Sequence, residues 1–464
     1  MAFTIQELSR KIRVREVSPV ELTHACLTRM AKLNPTLNAF ITVMADSALA
    51  QARIAEGEIF AGQDRGPLHG IPLGLKDLID VAGVPTTTAS AQFKNRVPAQ
   101  DAEIVCRLRA AGAIILGKQN LHECAYGGSC MISFYGPVHN PWDPTRIAGG
   151  SSGGCAASVA TGMGIAAVGT DTAGSIRLPA AYCGVVGLKP TYGRVSARGV
   201  VPLAWSLDHF GPITTSVYDA AMMLQVLAGY DSSDPNSVDV PVPDFTTGIE
   251  QPAKNLRIGV PRTFFFDDLH PEIAAAVEKA IEVFRHLHAE IREVTLEVSN
   301  DRTLTSAESY AYHESFVVNS PELYQPATLA RIQSGAGISA VDVLRASREL
   351  QLSRRTIQTV FDEHKIDVLL TPTVPIPPQT IATLEANPDD LRPQEVIMLR
   401  NTRPFNIWGI PAISIPCGFT KDVLPIGLQL ASAPWREGVA LRAAYAYEQA
   451  TEWHKQMPGQ PRAT

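Results

Sequence analysis

The sequence predicts an α/β/α fold: one domain built on a large mixed central sheet flanked by helices. Two observations point to it. From Gly66 onward, short apolar runs such as "GIPLGLK", "AIILG", "GIAAVGT" and "GVVGLK" alternate with small-residue helical patterns. Runs that are apolar at successive positions suit strands buried on both faces of a covered sheet. The same texture then resumes beyond a Pro-rich stretch, "DVPVPDFTTGIEQPAKN" at 239–255, which reads as a surface loop and not as a domain linker. A chain of 464 residues would usually make two or three domains. Here the strand-like runs near the C-terminus look as buried as those in the middle, so residues 1–464 are expected to complete one sheet.

Two capping boxes open the chain, Thr4 with Glu7 and Ser18 with Glu21, the latter with Pro19 at the first helical position. Residues 1–60 are therefore a helical extension. Its second helix should stop near Leu33, at Asn34-Pro35, and "LNAFITV" should follow as a strand or packed extended segment. After the core region at 66–230, "LRIGV" is a strand. Residues 271–287 then place Ile273, Val277, Ile281, Phe284 and Leu287 on one helical stripe, before a strand at "IREVTL". Residues 240–400 form a partly helical, variable region, in which Ser339 and Asp342 cap a long helix to about His364. The last part, 401–464, holds the strand-like "AISIPCG" and "PIGLQLAS" and a helix from Arg436 to about His454; "DVLLTPT" precedes it as a further strand.

Composition narrows the function. With 45% hydrophobic and 19% charged residues the chain is a globular protein, not a disordered one. A net charge of -6 offers no basic field to a phosphate backbone, so nucleic acid is not an expected partner. Seven scattered cysteines without C-x-x-C spacing suit reduced, packed thiols in a cytoplasmic protein. The opening "MAFTIQELSRKIRVREV" lacks an apolar signal core and no run of 18 apolar residues exists, so neither export by this signal nor a membrane is expected.

The chemistry concentrates in "GGSSGG" at 149–154 and "GTDTAGSIRLPA" at 169–180, where serines sit among glycines and no histidine occurs from Asn140 to Val185. A phosphate loop is excluded because Cys155-Ala156 stands where Lys and Ser/Thr are needed. "GMGIAA" precedes a strand instead of following one, so it is no dinucleotide fingerprint. His122-Glu123 and His313-Glu314 lack a second histidine, so no metal or other cofactor is expected. Counting leaves a Ser-His-Asp triad open, but no G-x-S-x-G elbow is present. A lysine is the other candidate base. Lys76 ends an apolar run, and burial would favour its neutral form; the competing reading pairs it with Asp77 at the surface.

"GLKD", "GGSSGG", "GTDTAGSIRLPAAYCGVVGLKPTYGRVS" and "SLDHFGPI", in that order and spacing, closely resemble the amidase signature family. The resemblance is strong over roughly 60–230 and looser elsewhere. It implies the amidase signature fold and a Ser-cisSer-Lys triad: Ser175 as nucleophile, Ser151 as the bridging serine preceded by a cis peptide bond, and Lys76 as base. It also implies an oxyanion hole from the backbone N–H groups of Thr172, Ala173, Gly174 and Ser175. Ala173 departs from the usual glycine, which restricts that position to negative φ or mild strain. "NLHECAYGG" resembles a stretch lining the acyl pocket, with Ala125 the position expected to touch substrate together with Ser151.

Arg177 reads as an ion-pair partner for Asp171, with a substrate carboxylate as its alternative; Cys155 and Cys183 read as packing residues. The expected function is a free-standing amidase that turns a small carboxamide into a carboxylic acid plus ammonia or amine, with a homodimer left open as the assembly. The alternative is the glutaminase subunit of a tRNA-dependent amidotransferase. Against it, 400–418 offers Arg403 beside Phe405 and Trp408 but no acid to hold an α-ammonium group. A protein that only binds amides is a third class, disfavoured because all three catalytic residues are present. Tyr310, Tyr312, Phe405 and Trp408 either line the substrate pocket or pack internally.

Overall fold

The structure, a computed structural model, describes residues 4–459. Eleven strands form one sheet: β1 Phe40–Val43, β2 Pro72–Lys76, β3 Ile114–Gln119, β4 Ala166–Asp171, β5 Val186–Lys189, β6 His209–Thr214, β7 Arg257–Pro261, β8 Glu290–Val294, β9 Val368–Pro372, β10 Ala412–Phe419 and β11 Pro425–Ser432. Their spatial order is β1-β3-β2-β4-β6-β5-β10-β11-β9-β7-β8. Parallel pairs β2/β3, β2/β4, β7/β8 and β7/β9 stand beside antiparallel ones, so the sheet is mixed as expected. Every residue of β2, β3, β4 and β11 is buried, which is what continuous apolar runs require when helices cover both faces. The edge strands β1 and β8 are the partly exposed ones.

Three local expectations are corrected. The second helix does not stop at Asn34-Pro35 but runs Pro19–Leu37, with Pro35 inside it. A proline in the last turn forfeits little, and Asn38 closes the helix in the left-handed region at φ 51°, its N–H donating to Asn34 O at 2.8 Å. Ser18 accepts from the N–H groups of Val20 and Glu21, but its hydroxyl turns to Glu56 at 2.5 Å, so only Thr4 and Glu7 make a reciprocal box. The final helix is shorter than expected, Glu437–Gln449. Among the described residues no helix is long and apolar enough to cross a membrane.

The strand order also positions the site. β2 and β4 are parallel neighbours, with Leu75 opposite Val168, so the chain leaves both at the same edge of the sheet. Side chains at the carboxyl ends of parallel strands face a common crevice. Lys76 and Asp171 are the last residues of those two strands.

Candidate active site

Lys76 has no exposed surface. Its Nζ donates to Ser151 Oγ at 2.7 Å and to Thr170 Oγ1 at 2.8 Å. Burial lowers its pKa to about 8, against the opposing pull of Cys155, Cys130, Asp208 and Asp171. The surface pairing with Asp77 does not occur. Asp77 lies one residue beyond the strand and its Oδ1 instead meets Lys118 Nζ at 2.8 Å, both side chains buried.

Ser151 sits in the loop that enters the helix Gly153–Thr161, and the Gly150–Ser151 peptide bond is cis. Neighbouring contacts fix the turn: Ser151 O accepts from His122 N at 3.1 Å, and Gly150 N donates to Gly128 O at 2.7 Å. Gly154 has to be glycine on space alone, since a Cβ would lie 2.4 Å from Ala39 O and 2.5 Å from Asn120 O. Ser152 ties this loop to its neighbour, its N–H donating to Ser175 O at 3.2 Å and its hydroxyl to Thr170 O at 3.1 Å. Ser175 is thus brought beside Ser151 by backbone adjacency; among the described residues no hydrogen bond joins the two hydroxyls.

The 171–177 loop is held by buried charge. Asp171 Oδ1 accepts from Gly174 N at 2.8 Å and Oδ2 from Ile176 N at 3.1 Å. Burial alone would raise the Asp171 pKa, but the charge and hydrogen bonds of Arg177 hold the carboxyl well below its usual range. All five N–H groups of Arg177 are used: Nε and Nη2 reach Asp171 at 3.0 and 2.8 Å, Nη2 also reaches Asn406 Oδ1, and Nη1 reaches Thr402 O and Gln429 Oε1. With none left over, Arg177 is a structural residue and the substrate-carboxylate alternative is set aside.

The four N–H groups expected at the oxyanion hole differ in their partners. Gly174 N–H is engaged by Asp171 inside the loop, whereas no hydrogen bond within the protein engages the N–H of Thr172, Ala173 or Ser175 among the described residues. Ala173 is absent from the residues with positive φ, so the loop takes the conformation open to alanine there. Thr172 Oγ1 donates to Asp208 Oδ1 and Thr402 Oγ1 to Ala173 O at 2.6 Å, pinning the loop from two sides.

These residues open on a tight cavity of ≈ 30 Å³ lined by Ala125, Tyr126, Thr172, Ala173 and Ser175. Arg302, Thr305, Ser306, Arg392, Leu399 and Arg403 line it too. Two roomier cavities, of ≈ 360 and ≈ 450 Å³, lie elsewhere and contain none of Lys76, Ser151 or Ser175, so size does not mark the chemistry here. Tyr310, Tyr312, Phe405 and Trp408 do not line the cavity; Phe405 and Trp408 pack with Phe265 in the core, and the two tyrosines pack against a cluster around Phe93 and Tyr324. Cys155 and Cys183 are buried with their thiol pKa values pushed up by desolvation, Cys155 to about 12, which makes them inert packing residues. Among the described residues no group of three or more His, Cys, Asp or Glu could hold a metal ion. Sequence reasoning missed Thr170, Asp208, Arg302, Arg392, Thr402 and Asn406. Asp208 and Thr170 had a signal, their places in "SLDHFGPI" and "GTDTAGSIRLPA".

The amidase family model matches residues 21–441. An amidase from Pseudomonas putida is 42% identical, covering 98% of this chain and 97% of its own. One of the subunits of a glutamyl-tRNA(Gln) amidotransferase, from Trichlorobacter lovleyi, is 41% identical, covering 97% of this chain and 98% of its own. The solved peptide amidase of Stenotrophomonas maltophilia superposes with a TM-score of 0.83 at 30% identity, covering 97% of each chain. A match that spans the strands, both serine loops and the lysine strand leaves one conclusion: the chain belongs to the amidase signature family, and it is an amide hydrolase.

Proposed function

We propose that the protein is a free-standing, cytoplasmic amidase acting on small amides through an acyl-enzyme on Ser175, with Ser151 as bridging hydroxyl and Lys76 as base. The buried 2.7 Å contact between Lys76 Nζ and Ser151 Oγ carries this reading. A lysine of ordinary pKa is neutral in roughly one molecule in 2,500 at pH 7, whereas one at about 8 is neutral in about one in ten. Neutral Lys76 takes the Ser151 proton as Ser151 takes that of Ser175, because a hydroxyl both donates and accepts. Ser175 Oγ attacks the amide carbon, and the oxyanion meets the N–H groups of Thr172, Ala173 and Ser175. The proton returns through Ser151 to the leaving nitrogen, the C–N bond breaks, and ammonia or amine departs. Water then attacks the ester, giving its proton along the same path, and the acid leaves with Ser175 restored.

Residues 66–230 supply this machinery, while Arg302, Thr305 and Arg392 from 240–400 and Arg403 from the part that begins at 401 line the same cavity; of the N-terminal extension, β1 joins the sheet beside β3 and the helix Ile5–Arg13 packs into the core. The names of several relatives favour a second reading, the glutaminase subunit of an amidotransferase. Against it, no carboxylate among the described residues lines the cavity to meet an α-ammonium group. Purified protein alone should release ammonia or amine from small amides, and Ser175→Ala should not. Turnover of glutamine only when a partner protein is added would replace this reading with the second.

A further inference from the structure

The cavity that Ser175 lines is lined also by three arginines, Arg302, Arg392 and Arg403, and among the described residues by no acid. Their partners do not account for them. Arg403 is 2% exposed; its Nη2 bonds Asp301 O and Thr305 Oγ1, but its Nε is buried with no partner. Arg302 is half-buried and its Nη2 is likewise buried and unpartnered. Arg392 approaches a single carboxylate, Glu395 Oε2 at 3.7 Å, which Arg331 already holds at 2.9 Å. Burial and repulsion from neighbouring arginines push the pKa of Arg302 down to about 10 and that of Arg403 down to about 9. Buried guanidinium groups are ordinarily saturated with acceptors, as Arg177 is in the same protein. Uncompensated donors at a substrate cavity ask for an anion from outside.

We propose that Arg403, Arg302 and Arg392 form an anion subsite and that the substrate is a short amide whose acyl part ends in a carboxylate, such as the monoamide of a short dicarboxylic acid. This rests on the Ser175 reading given above and adds the substrate class to it. A planar carboxylate matches the forked donors of arginine. The tightness of the cavity, ≈ 30 Å³, favours a short acyl part over a long or bulky one. The absence of a lining acid selects against a zwitterion, because an α-ammonium group would add a fourth positive charge.

The test compares kcat/KM for pairs in which a carboxylate replaces a carboxamide, malonamate against malonamide and succinamate against succinamide, and for glutaramate against glutamine, which adds an α-ammonium group. The anionic member of each amide pair should be favoured by about tenfold or more, glutaramate should outrun glutamine, and malonate and succinate should inhibit competitively. Arg403→Gln and the more exposed Arg392→Gln should each lower the anionic-to-neutral ratio by about tenfold to a hundredfold, mainly through KM. Because the ratio is read within one preparation, a loss of folded protein does not mimic the effect. Equal or better turnover of the neutral amides by the wild-type protein, with Ser175 still required, overturns the anion subsite and leaves the Ser175 reading standing. Preference for glutamine over glutaramate also overturns it. Turnover that survives Ser175→Ala overturns the underlying reading instead.

Discussion

Thr172 Oγ1 donates to Asp208 Oδ1 at 2.5 Å, and the other oxygen of that carboxylate accepts from Leu203 N at 2.9 Å and Ala204 N at 3.1 Å. One buried carboxylate thus ties the loop that carries Ser175 to the turn after residue 202. Burial raises the Asp208 pKa to about 6, so near neutral pH it is ionised and available as an acceptor. Thr172→Val keeps the side-chain shape and the backbone N–H but cuts the tie. It should lower kcat about tenfold with little change in KM, since an oxyanion donor that drifts weakens only the transition state. Thr172→Ser should restore the rate. A Thr172→Val enzyme with unchanged kcat would show that the loop needs no anchor on this side.

The base should titrate visibly. With Lys76 at about 8, kcat/KM should climb with pH along a limb centred near that value, because only the neutral amine accepts a proton. Lys76→Ala should remove the limb and cost several orders of magnitude. Lys76→Arg should not rescue, since guanidinium stays protonated at any working pH. Near-wild-type activity in Lys76→Arg would reduce the lysine to a hydrogen-bond donor.

Ser175 should be the residue that is acylated. A fluorophosphonate probe should place its adduct on Ser175, and Ser175→Ala should lose both labelling and turnover. An adduct on Ser151 would reverse the two serine roles. One on Cys155 or Cys183 would contradict the burial that keeps those thiols protonated.

The order of "GLKD", "GGSSGG" and "DTAGS" made the clustering of Lys76, Ser151 and Ser175 readable because these residues lie at strand ends and turns, where local sequence dictates geometry. Whether Lys76 turned inward or paired with Asp77 was not readable from those neighbours alone. It depends on which residue is the last of β2 and therefore faces Thr170 on β4, a cross-strand relationship. β6 was hidden by Gly211-Pro212, which argue against a strand; the strand forms because it is sandwiched between β4 and β5. Arg302 and Arg392 sit in unremarkable, partly helical sequence 90 residues apart. Only tertiary packing brings them to one cavity, and no local spacing encodes that.

Arg177 should matter for stability first. Its five bonds lie in a fully buried network with Asp171, Asn406, Thr402 and Gln429. Arg177→Met leaves the Asp171 carboxylate buried without its counter-ion and should cost about 3–5 kcal/mol in urea unfolding. Arg177→Lys should recover little, because an ammonium cannot reproduce the planar fork. A loss of less than about 1 kcal/mol in Arg177→Met would mean that water or Lys189 compensates Asp171.

Gly174 is the sharpest steric constraint in the loop that carries Ser175. It sits at φ 134°, where a side chain is strained whatever the space, and a Cβ there would lie 2.0 Å from Thr402 Oγ1. That hydroxyl cannot simply rotate away, because it donates to Ala173 O at 2.6 Å and so holds the neighbouring carbonyl of the same loop. Gly174→Ala should therefore displace the Thr172, Ala173 and Ser175 N–H groups together and lower kcat/KM by about a hundredfold or more, the scale of losing one oxyanion donor. Thr402→Ala alone removes one pin and should cost less. The double variant Gly174→Ala/Thr402→Ala relieves the clash but not the φ strain, so its activity should lie between that of Gly174→Ala and Thr402→Ala, a non-additive result expected of residues in contact. Strictly additive losses would show that the clash is absorbed elsewhere, and full activity in Gly174→Ala would show that the loop tolerates a conformation quite different from this one.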